Sequence, residues 1–134
     1  MSEEHVEAVR RSLDAWNRGD VEAWLEDAHP EIEWFSEIVQ RVEGSDTVYR
    51  GQSEMRGYWD DWHALWDVAI EVTDIRDLGD SVIALGHVRA RGEASGIDLE
   101  RPIAYVFEFE DGRARRVRSY FDVRAALEAV GLSE

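Results

Sequence analysis

The sequence predicts an α+β domain in which a few helices pack on a curved antiparallel sheet around a small-molecule pocket. Three observations carry that prediction. Apolar residues recur at three- and four-residue spacing early in the chain and again over 53–66, as helices require. From Val68 to Phe121 the alternation has period two and is broken only by short turn signals, as in a meander of strands. Helices first and strands afterwards segregate the two element types, and 134 residues suit one domain, 1–134.

Each element has its own reason. Val6, Val9, Leu13 and Trp16 form one stripe on a first helix, which Gly19 stops, and Asp20 is placed to cap the next. The second helix turns Val21, Trp24, Leu25 and Ala28 inward and should end at His29-Pro30, where the proline ring disfavours helix in the preceding residue. Ile32, Trp34 and Ser36 then alternate with Glu33, Phe35 and Glu37 in a first strand. Residues 38–52 read as a polar loop, and Ser53 as the N-cap of a third helix with Met55, Tyr58, Trp59, Trp62, Leu65 and Trp66 on one face. Val68, Ile70 and Val72 open the meander, and Asp77–Asp80 turns it. In residues 81–91, Ile83, Leu85, His87 and Arg89 share the face expected to look toward the helices. After a turn at Gly92–Gly96, residues 98–110 carry Tyr105, Phe107 and Phe109 on one face. Asp111-Gly112 makes a tight turn into a last strand with Val117, Ser119 and Phe121 on one side. Asp122 caps a closing helix, Val123–Val130, that ends at Gly131. All helices are expected on one face of the sheet.

Composition narrows the function. The net charge is −15, concentrated in residues 1–75, where 19 acids face 6 arginines. Such a surface repels phosphate backbones and anionic lipid, which argues against nucleic-acid and membrane partners. The cluster Arg113, Arg115, Arg116 and Arg118 breaks the trend and reads as a strand paired with neighbouring acids, with an anion-binding role as the alternative. With no cysteine, disulfides, thiolate nucleophiles and cysteine-held metals are excluded. No signal-like opening and no spanning apolar run is present, so a cytoplasmic protein is expected. No histidine pair has metal spacing, neither a phosphate loop nor a nucleophile elbow occurs, and no metal or cofactor is expected.

Several pieces together carry a family resemblance: Trp16-Asn-Arg-Gly-Asp20, His29-Pro-Glu-Ile-Glu-Trp34, Tyr49-Arg-Gly51 and the ending Ser119-Tyr-Phe-Asp-Val-Arg-Ala-Ala-Leu-Glu-Ala-Val-Gly-Leu132. Over almost its whole length the chain resembles the SnoaL-like branch of the nuclear transport factor 2-like superfamily. That resemblance implies a cone, with the curved sheet wrapped around the helices and a central pocket, on a scaffold that serves isomerases, cyclases, hydrolases and non-catalytic binders alike. Its chemistry transfers poorly. Where ketosteroid isomerases place a base, an oxyanion-hole tyrosine and a protonated aspartate, this chain has Ser36, Ser12 and Tyr105. Where limonene epoxide hydrolase has its Asp-Arg-Asp triad and two helpers, it has His87, Arg89 and Ser119, with Trp34 and Ser36.

The catalytic candidates are therefore His87 as acid or base, Arg89 as anion clamp with Glu37 or Glu33 as partner, and Tyr105 as hydrogen-bond donor. Trp16, Trp34 and Trp59 are candidates for a flat apolar wall, with Ser36 and Ser119 as sparse polar contacts. Three functions follow: a cofactor-free acid–base enzyme of isomerase, cyclase or hydrolase type acting on a small hydrophobic or aromatic ligand, a non-catalytic binder of such a ligand, or a dimerisation domain. Large residues on both faces of the late strands point to a homodimer.

Overall fold

The computed structural model describes residues 2–36, 48–92, 96 and 98–132. Its elements run α1 Ser2–Arg18, α2 Val21–Glu26, β1 Ala28–Phe35, β2 Val48–Arg50, α3 Gly51–Leu65, β3 Trp66–Asp77, β4 Ser81–Gly92, β5 Asp98–Glu110, β6 Arg113–Tyr120 and α4 Val123–Ala129. The α+β architecture expected from the sequence is present. Six strands form one sheet in the order β2-β1-β6-β5-β4-β3. All neighbours are antiparallel except β1 and β6, which run parallel, with Trp34 opposite Val117.

Boundaries move where local chemistry overrides the simple reading. Helix α2 stops at Glu26, and His29-Pro30 already belongs to β1. Asp20 does cap α2, its carboxylate accepting from the Ala23 amide at 3.1 Å. Helix α3 starts at Gly51, two residues before Ser53, because Gly51 takes φ +78° and Glu54 Oε1 accepts from the Arg50 amide at 2.8 Å. Part of the predicted loop, Val48–Arg50, is a short strand; the remainder up to residue 47, with Glu37, lies outside the described residues.

The concave face of the sheet carries the main core. Val82, Ala84, Val88 and Ala90 of β4 join Tyr105 and Phe107 of β5 and Val117 of β6 against α1, α2 and α3. Curvature enters at β3, where the pairing with β4 slips between Val72 and Asp74 and Thr73 Oγ1 donates to the Leu85 carbonyl. Opposite this bulge stands Gly86, where any Cβ would drive into the Glu71 carbonyl oxygen.

The helices do not all lie on one face, as the sequence suggested. Helix α4 packs on the convex side, where Ala126 and Leu127 bury Ile83, Ala104 and Val106. This also reverses the expected facing of β4. Ile83 and Leu85 are apolar because they meet α4, so His87 and Arg89, in step with them, point away from α1–α3.

Candidate functional site

Burial selects the candidate site. Among the described residues the buried polar side chains are Ser12, Ser36 and Ser119, joined by the phenols of Tyr58 and Tyr105. No acid, histidine or arginine is buried with them.

Two small hollows lie in the concave core. One is lined by Leu13, Trp16, Trp24, Trp34, Tyr58, Trp62, Val68, Ile70 and Tyr105; the other lies on the far side of Trp24 and Trp34, toward Ser12, Met55 and Phe107. Each has about 10 Å³ open to the centre of a water molecule, room for one oxygen-sized group. Trp24 and Trp34 border both, with ring centroids 5.4 Å apart, and form the partition between them. One carboxylate, Asp27, reaches the edge of the second hollow, where Arg11 holds it through two bonds of 3.0 Å.

Strand alternation sends Trp34 of β1 and Tyr105 of β5 to the concave side, where their rings lie 6.2 Å apart. Tyr58 of α3 faces them, 5.8 Å from Trp34, and its hydroxyl shares a 3.2 Å hydrogen bond with Ser36 Oγ. Burial pushes the Tyr58 phenol up to about 12, against the opposing effect of Ser36 and of the Trp34 N–H nearby. Burial also holds Tyr105 well above 10, with the Tyr58 phenol adding to it. Both stay protonated at neutral pH and are donors. Trp34 is 4% exposed, and its indole N–H, though near the Tyr58 hydroxyl, makes no hydrogen bond.

The sequence candidates divide. Trp16, Trp34 and Tyr105 line the first hollow. Ser36 lies just behind it on Tyr58, and Ser119 is buried beside Tyr105 across the β5–β6 pair. Trp59 is buried but packs against Trp16, Trp24 and His63 without reaching the hollow. His87 and Arg89 are a correction: both are exposed on the convex face, and Arg89 pairs with Glu100 at 3.0 Å rather than with Glu33. Glu33 is engaged by Arg116 and Arg50, and the Arg116 hydrogen bond lowers its carboxyl below the usual value. Sequence reading passed over Tyr58 and Trp24 as site residues. The signal was available for Tyr58, which shares the helical stripe of Met55 and Trp62.

The other histidines are structural. His5 stacks on Phe109 at 4.2 Å and bonds the Gly79 carbonyl. His63 lies against Trp59 with its ring nitrogens on the Trp59 and Trp16 carbonyls. His29, Glu110 and Asp111 bring ligand atoms within 4.8 Å of one another, a cluster no sequence spacing reveals. Here His29 Nδ1 accepts from the Glu31 amide, which leaves the ring proton on Nε2, the atom that a metal would need.

Residues 9–117 match the sequence profile of the SnoaL-like domain. The chain belongs to the SnoaL-like family. No protein of curated function matches it in sequence. Solved structures share the architecture of this SnoaL-like chain at low identity. An NTF2-like protein of unknown function from Burkholderia pseudomallei superimposes with TM-score 0.79 at 19% identity, covering 96% of this chain and 98% of the other. TerC, co-crystallised with polyporic acid, gives 0.78 at 20% over 95% and 98%. A putative SnoaL-like polyketide cyclase from Jannaschia sp. CCS1 gives 0.74 at 18% over 98% and 94%. At these identities the likeness establishes an NTF2-like fold and leaves the chemistry to the site. No helix among the described residues is long and apolar enough to cross a membrane.

Proposed function

We propose that this SnoaL-like protein binds a small, largely apolar, planar ligand in the concave core, between the Trp24–Trp34 partition and the phenols of Tyr58 and Tyr105. The observation that carries this reading is two protonated phenols buried among tryptophans with, among the described residues, no buried acid, imidazole or guanidinium beside them. Such a lining donates hydrogen bonds and stacks on flat rings, and it takes up no proton. Binding therefore ranks ahead of acid–base turnover of the isomerase, cyclase or hydrolase kind. The hollows are small at rest, so the ligand enters by displacing the Trp24 ring of the partition, which stands on the short helix α2. A neighbour crystallised with polyporic acid and another described as a putative polyketide cyclase support a ligand of this class.

A second reading, catalysis by carbonyl activation, is favoured by Tyr105 alone. A phenol held neutral in a dry site can donate to a developing oxyanion.

Tryptophan fluorescence tests the first reading. Titration with indanone, 2-naphthol and limonene should give a saturable change for at least one compound. Tyr105→Phe should weaken binding of 2-naphthol about 2–10-fold, the worth of one hydrogen bond. No saturable response to any of the three overturns the reading.

A further inference from the structure

The Trp34 indole N–H is the one buried side-chain polar atom without a hydrogen-bond partner among the described residues. Leaving a buried donor unpaired is costly, so such atoms are rare unless something else uses them. Its surroundings do not let it escape. Trp34 is fixed in β1 between Tyr49 of β2 and Val117 of β6, and its ring is held by Trp24 and Tyr58. The nearest phenol oxygen, on Tyr58, shares its hydrogen bond with Ser36, and the Trp34 N–H makes no bond to it. Trp34 also borders both hollows, each with room for one oxygen-sized group.

Resting on the binding reading above, we infer that the Trp34 N–H is the anchoring donor for the ligand. The ligand therefore carries a hydrogen-bond acceptor, a carbonyl or ether oxygen, on the edge that meets the partition. An indole N–H donates only, so a group offering just a hydrogen at that edge is rejected along with pure hydrocarbon.

Indanone and indane differ by one carbonyl and make the test. The wild-type chain should bind indanone about tenfold tighter than indane, the worth of one buried hydrogen bond. Trp34→Phe should bring the two affinities to within about twofold of each other, because the ring wall remains and the donor is gone. In tryptophan-labelled nitrogen NMR, one of the six indole signals should move strongly with indanone and little with indane. That readout keeps the test intact if Trp34→Phe does not fold. If both compounds bind and the preference survives in Trp34→Phe, or vanishes only in Tyr58→Phe, the anchor is overturned while the binding reading stands. If neither compound nor any other probe binds the wild type, both fall.

Discussion

Tyr58 and Tyr105 hold their hydroxyls where ionisation is opposed by burial, and the consequence is measurable in alkali. In the unfolded chain both phenols ionise near pH 10, whereas the folded chain keeps Tyr58 neutral to about 12 and Tyr105 well past 10. A raised folded value means that their stabilising contribution is complete below pH 10 and is lost as pH climbs through the folded values. Alkaline titration followed by phenolate absorbance should therefore find two tyrosines that ionise only together with loss of tertiary circular dichroism. Gradual ionisation of all four in a still-folded chain would show the site to be wet. At this scale the sequence put Tyr105, Trp16 and Trp34 on inner faces, where they line the first hollow, and misplaced His87 and Arg89. The misplacement has a physical cause. Both faces of β4 are apolar near its start, one for the tryptophans and one for α4, so Ile83 and Leu85 gave a false direction. At the other end of the strand, His87, Arg89 and Arg91 alternate with Val88 and Ala90 and mark the true one.

Between elements, the most informative contact joins α1 to the free edge of β3. Asn17 Nδ2 donates to the Ile70 carbonyl at 2.7 Å while its Oδ1 accepts from the Ile70 amide at 2.8 Å, as a neighbouring strand would. Trp16 Nε1 adds a bond to the Val68 carbonyl at 3.2 Å. The Trp16–Asp20 motif thus ends a helix and closes a sheet edge that would otherwise offer unpaired groups to another chain. Asn17→Ala should cost about 1–2 kcal/mol in denaturant titration, and Asn17→Asp nearly as much, since it keeps the acceptor and loses the donor. Equal stability of Asn17→Ala and wild type would mean that water serves β3 as well. The helix stripes, the Asp20 and Asp122 caps and the Asp111-Gly112 turn were legible because each is written locally. The β3 bulge and the early start of α3 were not, because they depend on the Gly86 backbone and on Glu54, one a distant strand and the other a residue read as ordinary helix.

Across the whole molecule, the convex face sets the assembly question. Helix α4 covers Ile83, Ala104 and Val106, while Phe35 and Tyr120 remain half-buried beside an open groove of about 500 Å³ with Arg118 stacked over both rings. We propose a homodimer through that uncovered part of the sheet, smaller than the sequence implied because α4 takes its share. Sedimentation at micromolar concentration should give a dimer that Arg118→Glu weakens, and a monomer throughout would remove the proposal. The parallel join between β1 and β6 has a different consequence, for the order in which the chain acquires its shape. Glu33 meets Arg116, and Trp34 meets Val117, across more than three-fifths of the sequence. A nascent chain that has exposed β1 and β2 still lacks the second of the two strands that flank β1, and the aromatic wall built on Trp34 stays open to solvent until β6 emerges. Loop closure over that span is slow compared with hairpin formation. The meander is therefore the natural nucleus, and the concave hollows beside Trp34 are the last part of the protein to exist.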